Sequence, residues 1–235
     1  MTLISNEDFT DFLEKLQEMN PKYYDTVSEL SWPKDENGEK DYERDPLIRS
    51  GYRMLSLDDI CKGCSKFDSY NLPSTTDALW YHVKDDGGLV LYFIEFKWHN
   101  LNRKKDETSC DQIDVVCKLR LKPFESLFIV LPKVFEDYCE KYNKNFTGLN
   151  DFLKTCEIKV FTFVDVFDRK DLKLKNRGNK YKYRLTNIKV MGKKGSIGNT
   201  VWKQYKRMEL NSLIDFADVY PRSFFNKFLG DEDLL

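Results

Sequence analysis

The stretch "LVLYFIEFKW", residues 89–98, constrains the fold more than any other part of this chain. Its ten residues carry only two charges, Glu95 and Lys97. A run this apolar reads as a strand covered on both faces. Strand alternation puts Glu95 and Lys97 on one face and Ile94, Phe96 and Trp98 on the other. Burying a carboxylate and an ammonium there is costly unless they pair or bind something.

The preceding run, "TTDALWYHVKDDGG", supplies a partner strand and a hairpin turn. With a three-residue loop of Asp85, Asp86 and Gly87, Lys84 faces Gly88 and Asp77 falls opposite Glu95 on the same face. A two-residue loop would turn Asp77 to the other face. The expectation is therefore an odd loop closed by a glycine bulge.

Around this hairpin the chain alternates helical and strand patterns. Phe9, Phe12, Leu13 and Leu16 form a helical stripe after a cap at Ser5 or Asn6. Residues 33–45 read as an exposed, charged loop. Asp45 and Pro46 look like a cap and first-turn proline opening a helix to about Met54. Ser56 with Asp59 resembles a capping box for a short helix containing Cys61. Ser109 with Gln112 repeats that signal before a helix carrying Ile113, Val116 and Cys117. "FESLFIVLPKVFEDYCEKY" is helical, with a kink expected at Pro132. "CEIKVFTFVDVF" is a buried strand and "KYKYRLTNIKVM" a more exposed one. The segment from Trp202 reads as helical pieces interrupted by Pro221. The result is an α/β chain with a mixed sheet flanked by helices.

Net charge is only −1, but its distribution is uneven. Residues 169–207 hold fourteen Lys or Arg against a single acid, Asp171. Residues 1–59 hold fifteen acids against seven bases. The basic arm also carries Tyr181, Tyr183, Trp202 and Tyr205, which pair phosphate partners with stacking surfaces. Lys180, Lys182, Arg184, Lys193, Lys194 and Lys203 are its candidate nucleic-acid contacts. Charged strands with core-facing aromatics are the plainer reading of the same segment. Lys118, Arg120 and Lys122 alternate further upstream, as a groove lining or as a solvent face. The glycines of 192–200 do not follow the order of a phosphate loop.

Other chemistries find little support. "CKGC" at Cys61 and Cys64 has zinc-knuckle spacing but no second such pair, and Cys110 with Cys117 looks like a packing stripe. Buried reduced thiols are expected. His82 and His99 are the only histidines, too few for a histidine-rich zinc enzyme. No apolar run reaches the roughly 18 residues of a membrane span. The N-terminus is acidic and amphipathic rather than basic then apolar, so no leader peptide and a cytoplasmic location are expected.

The segments "TTDAL" and "FIEFKW" resemble the PD-(D/E)xK, restriction-endonuclease-like nuclease superfamily over roughly residues 45–166. Thr76 stands where the family's proline gives the motif its name, and Val116 stands where some subfamilies carry tyrosine. The resemblance implies a restriction-endonuclease-like core at about 45–166 within a single domain spanning 1–235. N-terminal helices at 1–44 and a basic C-terminal extension at 167–235 would flank it. It implies catalytic Asp77, Glu95 and Lys97, with Mg²⁺ or Mn²⁺ held by Asp77, Glu95 and the carbonyl of Phe96. An acid on the first core helix is sometimes a further ligand, and several candidates are open here.

Two hard carboxylates suit such an ion, which activates water and polarises phosphate, while the ammonium stabilises developing charge. The expected function is metal-dependent phosphodiester hydrolysis, on DNA rather than RNA, with no membrane partner and a homodimer as one possible assembly. A non-catalytic nucleic-acid-binding or assembly protein on the same scaffold is the main rival. An interaction protein whose acidic and basic ends pair is another.

Overall fold

The structure is a computed structural model and describes residues 2–34, 39–97, 119, 121–164 and 214–231. Strand β1 (Thr2–Leu3) precedes helix α1 (Asn6–Met19), and a 3-10 turn (Pro21–Tyr23) leads into β2 (Tyr24–Thr26) and the short α2 (Val27–Leu30). Next come β3 (Arg53–Ser56), α3 (Leu57–Gly63), β4 (Ala78–Val83) and β5 (Leu89–Lys97). A helical run at 121–125 continues through a π-helical turn (Ser126–Val130) into α4 (Leu131–Lys141). β6 (Phe146–Thr147), α5 (Leu149–Leu153), β7 (Glu157–Val164), β8 (Phe216–Pro221) and α6 (Phe225–Asp231) complete the described elements.

Six strands form one mixed sheet in the order β2-β3-β4-β5-β7-β8. The β2–β3, β3–β4 and β4–β5 pairs are antiparallel, while β5–β7 and β7–β8 are parallel. The α/β class and mixed sheet are thus as expected. The sheet also draws β2 from residues 1–44 and β8 from residues 167–235, so both flanking segments contribute strands to it.

Apolar residues cover both faces. On one, Leu55, Leu79, Leu91, Phe93, Ile158 and Val160 pack with the α1 stripe of Phe9, Phe12, Leu13 and Leu16, together with Ile60, Leu127 and Val134. On the other, Val90, Tyr92, Ile94, Phe96, Phe161 and Phe163 meet Val27, Leu47, Phe225 and Phe228. Period-2 alternation in β5 divides its side chains between the layers. Odd positions point toward α1 and the 121–141 helical segment, and even positions toward α6.

Local signals explain several element boundaries. Ser5 caps α1 in a capping box with Asp8, and Ser56 caps α3 by accepting from the Asp59 backbone N–H. The hairpin loop is three residues long: the Lys84 N–H reaches the Gly88 carbonyl at 2.8 Å, and Gly87 sits at φ +81°. That left-handed position, strained for residues with a side chain, closes the bulge.

Two expectations differ, at residues 45–52 and 216–221. Residues 45–52 are not helical. Leu47 N–H instead bonds to the Ser31 carbonyl, Ile48 N–H to Ser31 Oγ, and Ser50 N–H to Ser28 Oγ. Tertiary partners thus satisfy the donors that a helix at Asp45 would have used. Pro132 lies just after the π-helical turn (Ser126–Val130), within a helical run that continues unbroken into α4. Residues 216–221 form a strand rather than a helical piece, with Pro221 at its end. The helix expected from Cys110 and the strand expected at 180–191 lie outside the described residues.

Candidate functional site

Asp77, just before β4, and Glu95, on the adjacent β5, follow the register that the three-residue loop sets. Ala78 pairs with Ile94 and Leu79 with Phe93, which carries the ladder toward Asp77 opposite Glu95. Leu79 and Phe93 share one core layer, and their strand neighbours two residues away take the same face. Asp77 immediately precedes β4, and its carbonyl accepts the Leu57 N–H. Its Oδ2 accepts the Phe96 backbone N–H at 2.6 Å.

Glu95 is 1% exposed. A residue buried this deeply needs a counter-charge, and two lysines supply it. Lys97 Nζ lies 2.8 Å from Glu95 Oε1. Lys122 Nζ lies 2.8 Å from both Oε1 and Oε2, and 3.8 Å from Asp77 Oδ1. Burial disfavours the Glu95 charge, but Lys122 and Lys97 outweigh it and hold the carboxyl below its ordinary value. Burial likewise opposes the Lys122 charge, yet Glu95 and Asp77 raise its pKa. Asp77 moves the other way. Burial, and then the Glu95 charge, push its carboxyl up to about 6, despite Lys122.

Lys122 is aimed at this pair by its helix. Glu125 Oε2 accepts the Ser74 N–H at 2.5 Å, and Ser126 Oγ accepts the Thr76 N–H at 2.9 Å. The helical segment is thereby pinned to the residues that lead into Asp77. The π turn beginning at Ser126 falls at this attachment, and such turns alter which side chains face a neighbour.

A third acid stands close by. Asp58, in the first turn of α3, accepts the Thr75 hydroxyl and pairs with Lys34. Burial raises its carboxyl, but Lys34 and then the Thr75 hydrogen bond bring it below the usual value. Asp58 and Asp77 both line a cavity of about 420 Å³, whose walls also carry the acids Asp25, Glu29, Glu39 and Asp59 and the lysines Lys22, Lys34, Lys40 and Lys62. A cleft of this size suits a small polar ligand or one unit of a polymer.

Of the residues singled out from sequence, Asp77, Glu95, Phe96 and Lys97 come together. Lys180, Lys182, Arg184, Lys193, Lys194 and Lys203 lie outside the described residues. Lys122 was legible only as one of three alternating cations, and Asp58 only as one of many N-terminal acids. The Ser56 cap was the available clue to Asp58, because it places that acid in a helix's first turn. Cys61, Cys64 and Cys156 are buried free thiols, and Cys139 is a half-buried one. His82 sits half-buried on β4 with no place in the cluster.

Among the described residues, no group of three or more His, Cys, Asp or Glu side chains is arranged to hold a metal ion. The two strand carboxylates are nevertheless hard oxygen donors that already converge on one cation, the Lys122 ammonium. Two carboxylates with retained waters are a donor set that Mg²⁺ accepts, so the chemistry of the pair fits such an ion.

No family model, no curated protein sequence and no solved structure matches the chain. Among the described residues, no helix is long and apolar enough to cross a membrane.

Proposed function

We propose that this protein is a metal-dependent nuclease with a restriction-endonuclease-like core, hydrolysing phosphodiester bonds in DNA. One observation carries the reading: Asp77 Oδ1 and Glu95 Oε1 converge on a single cation position, 3.8 and 2.8 Å from Lys122 Nζ, while Lys97 Nζ approaches Glu95 at 2.8 Å. The antiparallel run β3–β4–β5, followed by parallel β7, supports the fold assignment, because it sets Asp77, just before β4, beside Glu95 on β5.

In this reading Asp77 and Glu95 hold Mg²⁺ or Mn²⁺, with the Phe96 carbonyl nearby. Bound there, the ion supplies a polarised phosphate and a more acidic water. Asp77 Oδ2 stays on the Phe96 N–H, which leaves Oδ1 as its donor atom. Lys97 orients the attacking water and stabilises charge developing on the phosphate. The cavity beside Asp77 and Asp58 receives the strand, and the basic arm holds its backbone. Glu95→Ala is expected to abolish Mg²⁺-dependent cleavage of a plasmid while leaving DNA binding nearly intact. Cleavage equal to the parent's would end the assignment.

A second reading has its own observation. Lys122 and Lys97 together already balance both acids, as they would in a nucleic-acid-binding scaffold that does no chemistry. That protein would bind DNA in a salt-sensitive way and give no Mg²⁺-dependent product.

A further inference from the structure

We propose that Lys122 is the resident cation of the Asp77–Glu95 pair: it keeps the two carboxylates assembled without a divalent ion, and an incoming ion must displace it. The inference rests on the nuclease reading for the identity of the site, and on geometry for the rest.

The first argument is position. Lys122 Nζ is equidistant, at 2.8 Å, from the two Glu95 oxygens and 3.8 Å from Asp77 Oδ1. A divalent ion binds carboxylate oxygens at about 2.0–2.6 Å. An ion shared by the same oxygens would lie almost against the ammonium nitrogen. Two cations cannot occupy that space together. Lys97 Nζ also bonds Glu95 Oε1 at 2.8 Å, but it is Lys122 that meets both Glu95 oxygens and faces Asp77 as well.

The second argument is attachment. Glu125 and Ser126 fasten the helical segment to Ser74 and Thr76, so the ammonium is aimed at the acids by fixed backbone. Displacement therefore needs only rotation of a long, flexible side chain, with the helix in place. The third is charge. Asp77 and Glu95 balance Lys97 and Lys122 without any ion. A divalent cation added with both ammonium groups in place would leave excess positive charge in a buried site. Once displaced, the tethered ammonium stands beside the ion and is available to a phosphate.

The test is calorimetric Mn²⁺ binding to the intact metal-free chain, comparing the parent with Lys122→Met. The variant removes the competing charge and keeps most of the side-chain volume. Mn²⁺ is expected to bind it about tenfold more tightly or better, given the strength of a buried charge pair. Equal affinity, weaker affinity, or no binding to either protein overturns the proposal.

Should the variant not fold, the parent provides the second measurement. Acylation of Lys122 by an N-hydroxysuccinimide ester, read by peptide mass spectrometry against exposed Lys154, should rise several-fold on adding Mg²⁺. An unchanged rate overturns displacement. Neither readout involves hydrolysis. Tighter Mn²⁺ binding in a protein that cuts no DNA keeps this inference and removes the nuclease reading. Equal affinities in a protein that does cut give the reverse.

Discussion

Asp77 Oδ2 accepts the backbone N–H of Phe96 at 2.6 Å, so one candidate catalytic side chain also completes the hydrogen bonding of the neighbouring strand. Structural and chemical roles meet in one carboxylate, and substitutions there separate them.

Asp77→Asn keeps a carbonyl acceptor for the Phe96 N–H, and Asp77→Ala removes it. Both variants lose the same charge. The alanine variant is therefore expected to be less stable than the asparagine variant by about 1–3 kcal/mol, the cost of an unsatisfied buried donor. Urea unfolding of the two proteins side by side measures the difference.

The same residue sets a pH dependence in the metal-free protein. Its folded pKa, about 6, lies above the ordinary carboxyl value. Between about pH 4 and 6 the native state therefore binds more protons at this position than the unfolded chain does. Unfolding free energy then falls as pH rises through that window. Glu95 shifts the other way, held below its ordinary value by Lys122 and Lys97 against the cost of burial. Asp77→Asn removes the effect, so its stability relative to the parent should grow by on the order of 3 kcal/mol from pH 4 to above pH 6. Thermal melts in chelator across that range test the sign.

Gly87→Ala forces a side chain into the left-handed turn at φ +81°. A loss of about 1–2 kcal/mol is expected, because no atom crowds the position and only the backbone conformation resists. Chemical denaturation measures it, and an unchanged midpoint would contradict the bulge.

The thiols should behave as packing groups rather than as metal ligands. Burial, reinforced by Cys64, pushes Cys61 up to about 11, and burial pushes Cys156 up to about 12. Thiolates are scarce at such values, so disulfide reagents at pH 8 should label both residues slowly until denaturant is added. A zinc chelator should leave the melting temperature unchanged.

Much of the central scaffold was readable from residue order. The apolar run at 89–97, the turn at Asp85–Gly87 and the caps at Ser5 and Ser56 each act within a few residues, where sterics and local hydrogen bonds decide the outcome. The pattern at 45–54 misled because Asp45 and Pro46 carry a helix signal, whereas Ser28, Ser31 and Val27 take the hydrogen bonds there. The strand at 216–221 was hidden for a similar reason: its partner is β7, distant in the chain.

By itself the sequence determined the strand alternation that puts Glu95 and Lys97 on one face, and it reduced the side taken by Asp77 to a choice between an odd and an even hairpin loop. Period-2 geometry leaves no other choice at that range. Only the tertiary structure decided that Lys122 would lie between the acids and that Asp58 would stand beside them. Those placements depend on how a helical segment docks on a sheet, which is settled by packing between parts of the chain that carry no local record of one another.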